Sequence, residues 1–514
     1  MLHPFSISKI NWRPRKRVAA PLIFLFLCTA AIMPGCTSKI KSGKPNILVI
    51  MSDNQYWSHA GCYGDQVVKT PNMDRIAHEG VRFTNAFCNS PSCSPSRAGM
   101  LTGQDTWRLK EGADLWSILS TEYKTYPDLL EASGYQVGFQ GKGWGPGSFE
   151  ASGRKRNPGG DEYKSFAEFM KGKHEGGAWT YWLCSHEPHR PYDVGIGIRS
   201  GIDPKKIIVP GYLPDHPEVR KDIADYYYSI EMFDKQIGDA IEVLKQSGEL
   251  DNTVLVICSD NGWQMPRGLA NLYDFGTHVP LIISWPGRFK SNVVSDHLVT
   301  LNDLAPTFLK LAGLTPPAEM TGASLLPVIE KDAPEAAQRD FVVLGRERHA
   351  FVRRHGLGYP GRALRTKQFL YIKNYEPDRW PAGDPPLYGD IDPYMFNWTG
   401  PAKVYMVANK DNPAVKPFFD LGMGKRPGEE LFDVEKDPDQ LHNLAYDSAY
   451  KEIKAKLASQ MKEYLVKTND PREVGGDTGL WDRAPYFSDI DKRAHPTEEN
   501  RKALGLDSVY DYLK

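Results

Sequence analysis

The sequence predicts an α/β domain, doubly wound around a large mixed or parallel sheet, with a smaller α+β unit behind it. Three observations carry this. Apolar runs of strand length at 46–51, 180–185, 253–258 and 279–284 are continuous rather than alternating, as strands buried on both faces of a sheet are. Segments of helical period lie between them, the longest at 219–246 with Ile223, Tyr227, Ile230, Phe233, Ile237, Ile241 and Leu244 on one side. Beyond about Pro327 the alternation lapses.

The elements follow in order. Run 46–51 ends at Ser52-Asp53-Asn54, and in open α/β sheets ligands gather off the carboxyl ends of strands. Thr70-Pro71 opens a helix as N-cap and N1, with Ile76 and Ala77 inward and Gly80 as its stop. Tyr126-Pro127 opens a second helix over 128–133, and strand 136–140 then delivers Gly141-Lys-Gly-Trp-Gly145. Residues 145–176 read as a long surface loop. Strand 180–185 ends in His186-Glu-Pro-His189, and strand 253–258 ends in Ser259-Asp-Asn261-Gly. A helix at 301–312 stops at Gly313. In the second unit, 341–344 and 369–373 are short strands. The expected division is a leader over 1–36, a main domain over 44–327, a C-terminal subdomain over 328–470, and a tail over 471–514 lying on the surface.

At 514 residues the chain exceeds one small core. Its net charge of −1, with 25% charged residues, provides no field for nucleic acid, so any anion site must be built locally. Arg13-Pro-Arg-Lys-Arg17 followed by an apolar stretch to Met33 has the form of an export signal. Met33-Pro-Gly-Cys36 resembles the lipobox of bacterial lipoproteins. That implies lipidation of Cys36 and a periplasmic or cell-surface location, anchored in the outer membrane. Of the remaining cysteines, Cys184 and Cys258 end apolar strands and read as buried free thiols, while Cys62 and Cys88 stay open.

The chain's most specific stretch is Pro91-Ser-Cys-Ser-Pro-Ser-Arg-Ala-Gly-Met-Leu-Thr-Gly103. Cys93 sits just before a helix-like run, where backbone N–H groups favour an anion and would acidify a thiol. Ser-Pro-Ser is also ordinary capping chemistry. Cys93-Ser-Pro-Ser-Arg97 and its tail resemble the signature of type I sulfatases, in which a separate maturation enzyme oxidises the cysteine to formylglycine. The resemblance runs roughly from Lys44 to Ala445 and leans towards bacterial sulfatases resembling heparan N-sulfatase. It implies an alkaline-phosphatase-like fold, a C-terminal subdomain with a small antiparallel sheet and a helix, the helix here supplied by Tyr450 to Leu465, one bound Ca²⁺, and a sulfated saccharide substrate with N-sulfoglucosamine-like units.

Residue by residue, Asp53, Asn54, Asp260 and Asn261 offer oxygen ligands that suit Ca²⁺, although each pair alone is common turn chemistry. The family usually begins with two aspartates, so Asn54 removes one negative charge. By the resemblance, Arg97 braces the nucleophile, Lys142 touches nucleophile and sulfate, and His186 or His189 protonates the leaving group and contacts substrate. The family's histidine after Gly-Lys is replaced by Trp144. Its expected sulfate-binding cation falls on Leu269, for which Arg267 is the candidate substitute. Arg346, Glu347, Arg348, His349 and the run Tyr375 to Trp380 are candidate sugar contacts. An O-sulfatase, a formylglycine-using phosphonate or phosphodiester hydrolase, and a decayed glycan-binding protein stand as alternatives.

Overall fold

The continuous apolar runs become strands of one eight-stranded sheet in a computed structural model, described for residues 43–172, 176–334, 337–390 and 400–488. The leader, Cys36 and the end of the tail lie outside the described residues. The strands are β1 (Asn46–Ser52), β2 (Val81–Phe87), β3 (Gln136–Gly141), β4 (Asp161–Glu162), β5 (Trp179–Cys184), β6 (Thr253–Ser259), β7 (Leu281–Ser284) and β8 (Val293–Thr300). Their order is β4-β3-β5-β1-β6-β7-β2-β8, and only β7 pairs antiparallel to its neighbours. The sheet is therefore mixed.

Its two faces explain the unbroken hydrophobicity. Along β1, Ile47, Val49 and Met51 enter one core, while Leu48 and Ile50 enter the other. Helices α1 (Pro71–Glu79), α2 (Cys93–Thr102), α3 (Tyr126–Ala132), α4 (Phe166–Gly172), α5 (Ile196–Arg199) and α6 (Pro217–Gln246) occupy the connections. α6 lays Phe233, Ile237, Ile241 and Leu244 on the Leu48 face, and α2 and α3 cover the other. Thr125 closes a capping box with Asp128 at the start of α3. Thr70 does not cap α1 with its side chain; its hydroxyl instead accepts from Gly61 N–H at 2.8 Å and donates to Asp74.

The second sheet has four antiparallel strands, β9 (Val342–Arg346), β10 (Gly361–Arg365), β11 (Phe369–Asn374) and β12 (Glu429–Asp433), in the order β12-β11-β10-β9. The helix Lys451–Lys467 packs Leu457, Met461 and Leu465 against it. Three expectations change. The 145–176 stretch carries β4 and α4 as well as loop. β8, an edge strand outside the runs expected above, carries Ser295, Asp296 and His297 in its middle, so it lacks a continuous apolar run. The first part of the tail is seated rather than draped: Trp481 is buried, and its indole donates to Lys110 O at 2.9 Å.

Candidate active site

Register builds the site. Gly141, Cys184, Met51 and Cys258 stand in one row across β3, β5, β1 and β6. The residues that follow emerge at a common edge: Lys142, the His186 to His189 loop, Asp53-Asn54 and Asp260-Asn261. Gly141 has φ +75, and a Cβ there would meet Cys184 O at 2.1 Å. Only glycine lets the chain turn Lys142 over the edge.

Cys93, the first residue of α2, is buried against these ends. Its Sγ lies 3.6 Å from Asp53 Oδ1, 3.8 Å from Asn54 Oδ1 and 3.8 Å from Asn261 Nδ2. Asp53, Cys93 and Asp260 present ligand atoms all within 4.8 Å of one another. Asn54 N–H donates to Asp260 Oδ1 at 3.1 Å, from a left-handed backbone of φ 72 that asparagine tolerates. Arg97 braces the group: Nε donates to Asp260 Oδ2 at 2.9 Å, Nη1 to Gly143 O at 2.8 Å, and Nη2 sits 3.5 Å from Asp53 Oδ2. Lys142 Nζ donates to Asp53 Oδ2 at 2.8 Å.

The electrostatics correct one expectation. Burial pushes the Cys93 thiol up, and Asp53 and Asp260 push it further, against Lys142 and Arg97. The helix start does not acidify it. Burial also acts to raise Asp53, but Lys142, His189 and Arg97 together hold its carboxyl below the usual range. Asp260 goes the other way, raised by burial and by Asp53. Asn261 Oδ1 is buried without a partner. Two neighbouring carboxylates and an orphaned amide oxygen are a donor set that fits a hard divalent cation.

The histidine loop is anchored on three sides. Glu187 O accepts from Asp53 N–H at 2.9 Å, Glu187 bonds Ser229 of α6, and Arg190 pairs with Asp222 of α6 at 2.6 Å. His186 is exposed, whereas His189 is half-buried and within electrostatic reach of Asp53. Gln264 fixes this loop: its Oε1 accepts from Arg190 N–H at 2.7 Å, and its Nε2 lies 3.3 Å from His189 Nε2. Sequence reasoning missed Gln264, whose only signal is its place in the loop after Asp260-Asn261.

Other candidates are not brought to the site. Arg267 is buried with φ 71; its guanidinium donates to Leu421 O at 3.0 Å and to Gln440 O, and stacks 3.9 Å from the Tyr273 ring centroid. It ties the Asp260 loop to the C-terminal subdomain and does not replace the missing cation; Leu269 is itself buried. Trp144 packs in the core, its backbone held by Asn157. Of the sugar candidates, Arg346 pairs with Asp390, Arg348 with Asp114, and Glu347 with Arg362 and Arg472. Tyr375 donates to Glu473 at 2.7 Å. His349 alone reaches the nucleophile's neighbourhood, its Nδ1 2.8 Å from Ser92 Oγ. The five described cysteines are free thiols, which resolves Cys62 and Cys88.

Comparison with known proteins shows the fold and the family. A solved structure in complex with its substrate D-glucosamine-2-N,6-O-disulfate superposes with a TM-score of 0.60 at 20% identity, covering 83% of this chain and 98% of the other. A sulfatase family profile matches residues 45–314, and the chain belongs to that family. It is a sulfatase, a hydrolase of sulfate esters and sulfamates. Residues 267–384 match the C-terminal region of N-sulphoglucosamine sulphohydrolase. An ulvan-active sulfatase of Formosa agariphila is 28% identical over 84% of this chain and 81% of its own. Human N-sulphoglucosamine sulphohydrolase is 26% identical over 83% and 91%. The family generally uses formylglycine and a metal ion.

Proposed function

We propose that the chain removes sulfate from saccharides carrying sulfated amino sugars, N-sulfoglucosamine-like units of heparan or heparin foremost. The reading includes oxidation of Cys93 to formylglycine by a maturation enzyme and one Ca²⁺ held by Asp53, Asn54, Asp260 and Asn261. The observation that carries it is Cys93 Sγ seated 3.6–3.8 Å from Asp53, Asn54 and Asn261. The formylglycine hydrate would supply the hydroxyl nucleophile and Ca²⁺ a Lewis-acidic charge beside it.

The chain's own residues do the rest. Lys142 and Arg97 set positive charge against the two carboxylates, and Lys142, the less buried, is the one to meet a sulfonate oxygen. His186 or His189 is the group to protonate the departing amine or alcohol; Gln264 Nε2, a donor, lies 3.3 Å from His189 Nε2 and holds that ring in place, and would have to give up this contact for His189 to act as the acid. His186 stands exposed beside it. The intact contacts among Cys93, Arg97, Lys142, Asp53 and Asp260 support an active enzyme over a decayed binding protein.

The match of residues 267–384 and the human relative support the N-sulfated amino sugar. The ulvan-active relative supports a second reading, an O-sulfatase on another glycan. Export with acylation of Cys36 belongs to the same proposal and rests on Arg13 to Cys36; no helix among the described residues is long and apolar enough to cross a membrane. The test is sulfate release by Cys93-converted, Ca²⁺-loaded protein from N-sulfoglucosamine and from 6-O-sulfated N-acetylglucosamine, side by side. Release from the first supports the main reading and from the second alone the other. A fully converted, metal-replete protein inert on both overturns both.

A further inference from the structure

Away from the active site, a void of about 10 Å³ lies where β9, β10 and β11 meet Leu272 of the Asp260 loop. Arg346, Tyr359 and Arg426 line it. Arg346 and Tyr359 are 3% and 2% exposed. Four donors of these residues have no acceptor: Arg346 Nε, Arg426 Nε, Arg426 Nη2 and the Tyr359 hydroxyl. The nearby carboxylates are already engaged. Asp390 accepts from Arg346 and Arg353, and from Ala350 N–H at 3.2 Å. Glu430 accepts from Tyr273 at 2.6 Å and Asn374 at 2.8 Å.

Buried donors need acceptors. Arg346 Nε and the two unpaired nitrogens of Arg426 can only donate; a water accepts about two hydrogen bonds, whereas a spherical anion accepts from all three and from the Tyr359 hydroxyl. The charge points the same way: the guanidiniums of Arg346, Arg353 and Arg426 face the carboxylates of Asp390 and Glu430, leaving one positive charge over. The space is about the size of one water and is bounded on one side by the half-buried Arg426, whose side chain would move slightly outward to admit a single-atom ion; sulfate or a sugar carboxylate is excluded.

We infer that this void is a binding site for one small monovalent anion, chloride in solution, held by Arg346, Tyr359 and Arg426. The anion links the C-terminal sheet to the loop that carries Asp260, so occupancy stabilises the seat of the subdomain. This is independent of the proposed substrate.

Two measurements test it on the full chain. Crystals soaked in bromide should show an anomalous peak in contact with Arg346 Nε and Arg426. Thermal melts at constant ionic strength, with chloride replacing gluconate, should rise saturably in Tm. Arg426→Gln should lower halide affinity about tenfold or more, as loss of a charge-assisted hydrogen bond does. Tyr359→Phe, which keeps the ring and removes one donor, should weaken it less. A void holding only water after bromide soaking, or wild-type melts indifferent to chloride, overturns the inference. So does a chloride response unchanged in both variants, because the halide would then act elsewhere.

Discussion

Two regions of this molecule bury charge, and they do it in opposite ways. At the strand ends, Asp53, Asp260, Lys142 and Arg97 meet around Cys93, and Asn261 Oδ1 is left without a partner. In the C-terminal subdomain, Arg362 lies between Asp470 and Glu347, Arg365 on Asp274, and Arg348 on Asp114, each closed into ion pairs. Buried charge costs desolvation in both places. In the first region that cost leaves coordinating capacity; in the second it fixes where one unit sits on another. Charged residues in a second unit are therefore poor evidence of substrate contact until their partners are known.

The largest expected effect breaks the open region alone. Cys93→Ala should lower sulfate release by at least about 10⁴-fold while the thermal midpoint holds, measured by ion chromatography and calorimetry. Retained turnover would remove Cys93 from the chemistry. The converse break is Arg362→Met, which strands Asp470, leaves Glu347 to Arg472 alone, and should cost about 3–5 kcal/mol in urea denaturation.

Arg267→Ala sharpens the boundary between the regions. It removes two hydrogen bonds to carbonyls and a ring contact, a loss of about 2–3 kcal/mol in stability. KM for the sulfated saccharide should stay within about twofold, because a residue that binds no sulfate removes no ground-state binding. A selective rise in KM would return Arg267 to the sulfate site.

Asp105 gives the pH test. Burial pushes its carboxyl up to about 7, against the hydrogen bonds from Tyr464 and Thr321. Between the ordinary aspartate range and that value, the folded chain binds a proton that the unfolded chain has released. Its contribution is therefore complete in acid and lost as pH rises towards 7. Asp105→Asn should leave stability little changed at pH 4 and raise it by about 2 kcal/mol at pH 8, read from denaturant melts at both. The smallest effect is Asn54→Asp, which adds a carboxylate where the left-handed backbone allows one. It should tighten Ca²⁺ about tenfold by titration calorimetry. Unaltered affinity would separate Asn54 from the metal.

Much of the open region was legible in sequence because it is periodic and local. Strands buried on two faces announce themselves, and the residues after Met51, Cys184 and Cys258 had to leave at one edge once those strands paired. β8 was not legible, since Ser295, Asp296 and His297 interrupt its apolar residues. Nor was β10, whose Arg362 and Arg365 look solvent-facing until Asp470 and Asp274 are placed beside them. The thiol of Cys93 was misjudged for the same reason: the helix start is visible in sequence, but the burial and carboxylates that outweigh it come from residues 40 and more than 160 positions away. Arg267 failed because proximity in a loop says nothing about side-chain direction.

The shared row of Gly141, Cys184, Met51 and Cys258 has a consequence for how this chain can change length. Moving one strand by one residue displaces its ligand by about 3.3 Å and reverses its face. Insertions within β1, β3, β5 or β6 are thus excluded. The opposite edge is different: Gly134, Gly176 and Gly248 stand at positive φ with nothing within 4 Å of where a side chain would begin. Growth, grafting and new chain termini belong there, behind the sheet, where added residues leave the register of the catalytic edge untouched.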